Sequence, residues 1–107
     1  MLEAQGQLAA AQAAFDEALV ISRRLAEQDP RNAGWQRDLA VACNRSARIA
    51  IAAGRNDIGL SLYEESLGIF ATLVERAPGF AAWAEEMNVV KAELAALRAS
   101  VPLERCD

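Results

Sequence analysis

Between Gly6 and Pro30 the apolar positions fall at Leu8, Ala11, Phe15, Ala18, Leu19 and Leu25, with Ser22 a polar lapse in the row. Steps of three and four are the spacing of one helix face, so the segment predicts an amphipathic helix. Leu60, Tyr63, Leu67, Phe70 and Val74 draw the same stripe on a segment starting near Asn56. Between them, Trp35, Leu39, Cys43, Ala47 and Ala50 form a third stripe. Other residues write the breaks. Asp29-Pro30 stops the first helix, because the residue before a proline resists helical geometry. Asn32 can cap the next helix, Gly54 reads as the left-handed residue that ends it, and Asn56 with Asp57 suits the start of the one after. The expected elements are helices near 7–29, 33–53, 56–77 and 81–100, with Met1–Gln5 the remnant of a preceding helix.

These stripes belong to a unit written twice. Sliding the chain against itself by 48 positions aligns Gly6 with Gly54, Leu19 with Leu67, Leu25 with Leu73, Pro30 with Pro78, Trp35 with Trp83 and Val41 with Val89. Phe15 meets Tyr63 in the same frame, and no gap is needed. Self-similarity at a fixed period of this size marks a repeat architecture, in which each unit buries its apolar face against the next. The units run over about 7–54 and 55–101, with 102–107 a tail, in one domain or a fragment of a longer array. The doubled proline and tryptophan mark the elbow between units: proline stops one helix, and Trp35 or Trp83 plugs the next helix onto it.

Two helices per unit, a small residue four before an aromatic one and a closing proline resemble the tetratricopeptide repeat. Ala11 with Phe15, followed by Ala18-Leu19, and Gly59 with Tyr63, followed by Ser66-Leu67, match its second-helix signature. Gly6 and Gly54 match the glycine of the turn inside each pair. The first-helix signature is poorly kept: Cys43, Ser46, Ala47 and Ala50 hold it in one copy, and Lys91, Leu94, Ala95 and Arg98 in the other. The unit is also longer than the standard ~34 residues, as if each helix had gained about two turns. The resemblance implies an all-α fold of antiparallel helix pairs stacked as a short solenoid of about four helices. It also implies a concave groove lined by the first helix of each pair, facing Val41, Asn44, Arg48 and Ile51 on one side and Val89, Ala92 and Ala96 on the other. Asn44 and Arg48 lie four apart on one helix face, where they can hold a peptide carboxylate or backbone, or simply be solvated. The apolar second wall suits an amphipathic helix or a neighbouring subunit.

Composition narrows the chemistry. The 107 residues are 53% apolar, ample for a core, and the net charge of −4 argues against a nucleic-acid partner. No apolar run approaches the ~20 residues a membrane helix needs. With no leader-like opening segment, a cytoplasmic location is the expectation. Ten arginines against one lysine, Lys91, look like the codon bias of a GC-rich genome, and the long helices with Trp35-Gln36-Arg37-Asp38-Leu39 near a first-helix start resemble repeat arrays of bacterial multidomain signalling proteins. There is no histidine, so the commonest general base and metal ligand is missing. Cys43 and Cys106 have no metal or redox spacing; Cys43 reads as a small core residue, and Cys106 follows Pro102 in a polar tail. Glu64-Glu65 and Glu85-Glu86 are adjacent on helices, pointing about 100° apart, and read as solvated surface. No catalytic site, metal or cofactor is expected.

What remains is recognition. The leading expectation is a protein–protein interaction module; the alternatives are a self-associating structural segment and a regulatory domain that binds a small ligand. Ala10, Ala14 and Val20, near Ala13, lie off the Phe15 stripe of the first helix. Val90, Leu94, Leu97 and Val101 form a stripe on the last. Uncapped ends of a repeat array are sticky. Self-association through one or both end helices, most simply as a twofold dimer, is therefore expected.

Overall fold

A computed structural model describes residues 2–100, with side chains described from Gly6 onward. It contains four helices, α1 (Leu2–Gln28), α2 (Ala33–Ala52), α3 (Asn56–Arg76) and α4 (Ala81–Ser100), and no strand among the described residues. The helices stop where local chemistry requires. Asn32 Oδ1 accepts the Trp35 N–H at 3.0 Å and starts α2. Gly54, at φ +83°, is the one left-handed residue described, and it closes α2 as a C-terminal glycine should. At Pro78 the chain leaves α3 and turns through Phe80, whose N–H bonds the Ala77 carbonyl at 3.0 Å, into α4.

Cross-helix contacts define the topology. Gln36 donates to the Ala26 carbonyl and Ser46 to the Phe15 carbonyl, so α2 runs antiparallel to α1. Ser66 Oγ donates to the Ala40 carbonyl at 2.8 Å, while Gly59 sits beside Ala47 and Ile51, so α3 returns antiparallel along α2. Arg37 pairs with Glu86 and Arg48 with Glu93, which sets α4 parallel to α2. Arg23 pairs with Glu65 across α1 and α3. The result is two layers, α2 beside α4 and α1 beside α3, with each helix stacked on its chain neighbour. The shortest dimension, 23 Å, is two helix diameters of ~10 Å.

Two apolar clusters fill the space between the layers. The larger takes Ala40 and Ala47 from α2, Tyr63, Phe70 and Leu73 from α3, and Val90, Leu94 and Leu97 from α4. The smaller takes Leu19 and Ala26 from α1 with Leu39 and Cys43 from α2. Leu62 and Ile69 of α3 pack against both, so one helix ties the two together. Each fully buried Val, Leu or Phe contributes about 1.5–3 kcal/mol. Gly59 sets the closest approach: a Cβ there would lie 2.5 Å from Ile51 Cγ1 and 3.2 Å from the Ala47 carbonyl oxygen.

The fold departs from the sequence expectations at five points. Gly6 is not a turn residue: α1 runs unbroken from Leu2, so Met1–Gln5 does not form a separate helix remnant over its described part. One glycine inside a helix costs only ~1 kcal/mol, which a helix of this length carries. The cap of α3 is Arg55, without a side-chain bond, and Asn56 is already helical. Neither tryptophan is a fully buried plug: Trp83 is half-buried against the larger cluster, edge-on to Phe80 at 4.6 Å, and Trp35 is half-buried outside both clusters. Val90, Leu94 and Leu97 are not an open stripe but core, because that face of α4 is the one lying on α3. The paired carboxylates are not all idle, since Glu64, Glu65 and Glu86 each hold an arginine. Val101 and Cys106 lie outside the described residues.

Candidate functional site

The α2–α4 layer presents a cleft on the molecular surface. Its α2 wall is the row Arg37, Val41, Asn44, Arg45 and Arg48, residues brought to one face by steps of three and four. Its α4 wall is Glu86, Val89 and Val90, and Phe70 of α3 forms the floor. The volume is about 220 Å³. Val89 is 49% exposed despite its branched apolar side chain, and Val41 is half-buried opposite it.

Charge in the cleft is mostly neutralised in place. Arg37 donates from Nε and Nη2 to the two Glu86 oxygens at 3.1 and 2.8 Å. Arg48 does the same to Glu93, at 3.0 and 2.5 Å, and Tyr63 O–H donates to that carboxylate at 2.9 Å. Hydrogen bonding from Arg48, with Tyr63 adding to it, holds the Glu93 carboxyl below its usual range. Burial, reinforced by the bond to Glu93, pushes the Tyr63 phenol up to about 12. Because both arginines are half-exposed, such pairs supply little stability. Their bidentate forks instead set the register of α4 on α2. Arg45 makes no ion pair among the described residues, so it leaves the cleft with one unbalanced positive charge. It also reaches a neighbouring cleft of about 340 Å³, where Phe15, Ala18 and Ser22 of α1 form the opposite wall.

One polar atom here is unsatisfied. Asn44 Oδ1 is buried and has no hydrogen-bond partner. A buried acceptor without a donor costs about 1–3 kcal/mol.

Of the groove residues expected from the sequence, Val41, Asn44, Arg48 and Val89 meet in this cleft. Ile51 does not: it borders a separate opening with Arg48, Tyr63, Glu93 and Ala96, one turn nearer the end of α2. Ala92 is exposed on α4 but does not line the cleft. Arg48 is engaged by Glu93, so a carboxylate clamp with Asn44 would have to displace that pair. Sequence reasoning missed Arg45, Arg37, Glu86 and Glu93. A signal existed for the pairs, since Arg37/Glu86 and Arg48/Glu93 are separated by 49 and 45 residues, close to the repeat period.

Cys43 is fully buried in the smaller cluster, as a core residue, and burial pushes its thiol up to about 12. Among the described residues, no group of three or more potential ligands could hold a metal ion, and no helix is long and apolar enough to cross a membrane. No protein-family model, curated protein or solved structure matches the chain.

Proposed function

We propose that this chain is a protein–protein interaction module, a short tetratricopeptide-like helical array without catalytic chemistry of its own. The α2–α4 cleft is its docking groove. The observation that carries the reading is the composition of that groove: exposed Val89 and half-buried Val41 beside Arg45, which makes no ion pair among the described residues. An apolar strip with a single uncompensated cation fits an amphipathic segment that offers an apolar side chain and a carboxylate together. The 48-residue period, the small-x-x-x-aromatic positions and the sequential helix stacking support the family likeness. A setting in the cytoplasm of a bacterium, within a larger signalling protein, belongs to the same proposal.

Peptides selected from a displayed library of acidic amphipathic sequences test it. Val89→Arg and Arg45→Glu should each weaken the selected peptides at least about tenfold, the loss of one good contact, with the far-UV circular dichroism unchanged. Peptides that bind both variants as tightly as the parent would refute the groove reading.

A further inference from the structure

The outward face of α1 has a different character from the groove. Val20 and Ile21 are 54% and 51% exposed, among the most exposed large apolar side chains described. Ala13 and Ala14 are exposed about two turns before them, small enough to let another helix come close. Glu17 and Arg24 are both exposed and lie seven residues apart, so they share this face two turns from each other. At 1.5 Å per residue they are about 10.5 Å apart along the axis, too far to pair within the helix. Neither makes an ion pair among the described residues.

This arrangement complements itself. If a second α1 lies antiparallel with the twofold axis passing between Val20 and Ile21, each Glu17 falls level with the other copy's Arg24. Val20 and Ile21, about 100° apart around the helix, then flank the axis on either side, and the two oppositely charged pairs close above and below it. In an isologous interface every contact occurs twice, so a face needs only internal complementarity of this kind to dimerise. The outer face of α4 lacks the branched apolar pair: Asn88, Lys91 and Ala95 are exposed there.

We propose that the chain forms a twofold homodimer through α1, centred on Val20 and Ile21 and registered by reciprocal Glu17–Arg24 pairs. One helix pair buries less than the ~1,200–2,000 Å² of a standard stable interface. The dimer is therefore weak, with dissociation in the micromolar range or above. It uses a surface separate from the α2–α4 cleft, so the two proposals stand or fall independently.

Sedimentation velocity from about 5 to 500 µM on the full chain reads the equilibrium. The parent chain is expected to shift from monomer to dimer across that range. Glu17→Arg alone, or Arg24→Glu alone, turns both attractive pairs into repulsive ones and should raise the dissociation constant by at least about tenfold. The double variant Glu17→Arg with Arg24→Glu restores opposite charges across the axis and should return dimerisation to within about threefold of the parent. A parent that stays monomeric at 500 µM overturns the proposal. So do single variants that dimerise like the parent, or a double variant that fails to recover while its circular dichroism matches the parent's.

Discussion

Gly59 and Gly68 sit nine residues apart on α3 in opposite situations. A methyl group on Gly59 would press on Ile51 and the Ala47 carbonyl, whereas one on Gly68 meets nothing within 4 Å. Gly59→Ala should therefore destabilise the fold by about 1–3 kcal/mol through overpacking, while Gly68→Ala should stabilise it by roughly 0.5–1 kcal/mol through helix propensity. Urea denaturation of the two variants checks the sign of each. Titratable residues give a second test. The Tyr63 phenol is raised in the folded state to about 12, so folding favours its protonated form. That contribution is complete below the ordinary tyrosine value near 10 and is lost as pH rises toward 12. An ultraviolet titration of the native chain should show phenolate appearing near pH 12 and not near 10. Glu93 works in the opposite sense: its lowered value means stability present above the ordinary glutamate range and lost as pH falls through it. In a chain carrying Cys106→Ser, the Cys43 thiol, raised from 9.0 to about 12, should react with a disulfide reagent at pH 8 only as the protein unfolds.

Among the elements, the aromatic residues differ most from their sequence promise. A tryptophan at a helix start after a proline reads as a plug, yet Trp35 is only half-buried, whereas Phe70 in mid-α3 is 1% exposed within the larger cluster. Phe70→Ala should cost about 3–5 kcal/mol, the range for a buried ring, and Trp35→Ala roughly 1–2 kcal/mol, nearer the ordinary substitution. Equal losses in denaturant midpoints would mean that Trp35 is the anchor its spacing suggested. The helix boundaries themselves were legible. Asp29-Pro30, Asn32, Gly54 and Pro78 all lie at the breaks, since each acts on its own few residues of backbone. The error at Gly6 has the same physical root: glycine permits a turn without requiring one, and only a packed neighbour makes the turn worthwhile.

At the scale of the molecule, position in the stack decides burial. Leu25 and Leu73 occupy the same repeat position, but Leu73 is 1% exposed and Leu25 only half-buried. Ala18 is exposed where its counterpart Ser66 is fully buried. The reason is that α3 packs along both α2 and α4, whereas α1 packs along α2 and meets α3 at the Arg23–Glu65 pair and beside Leu62 and Ile69. Native-state hydrogen exchange should follow this order, with the slowest amides in mid-α2 and mid-α3 and the fastest helical amides over Leu8–Ala14 of α1. Uniform protection along α1 would show that its outer face is covered in solution.

By itself the sequence determined that this chain is all-α, where its helices break and that its unit is written twice, because helical spacing, proline, caps and glycine act over a few residues and repeat when the sequence repeats. The interior face of each helix was legible for α1, α2 and α3, where the apolar stripe has one dominant side. It was not legible for α4, where Val90, Leu94 and Leu97 looked like a free stripe until α3 was seen to cover them. Only the tertiary structure decided which arginine meets which glutamate and that, among the described residues, Arg45 has no acidic partner and the Asn44 oxygen no donor. Those outcomes depend on the sideways register of helices far apart in the chain, which no local pattern encodes.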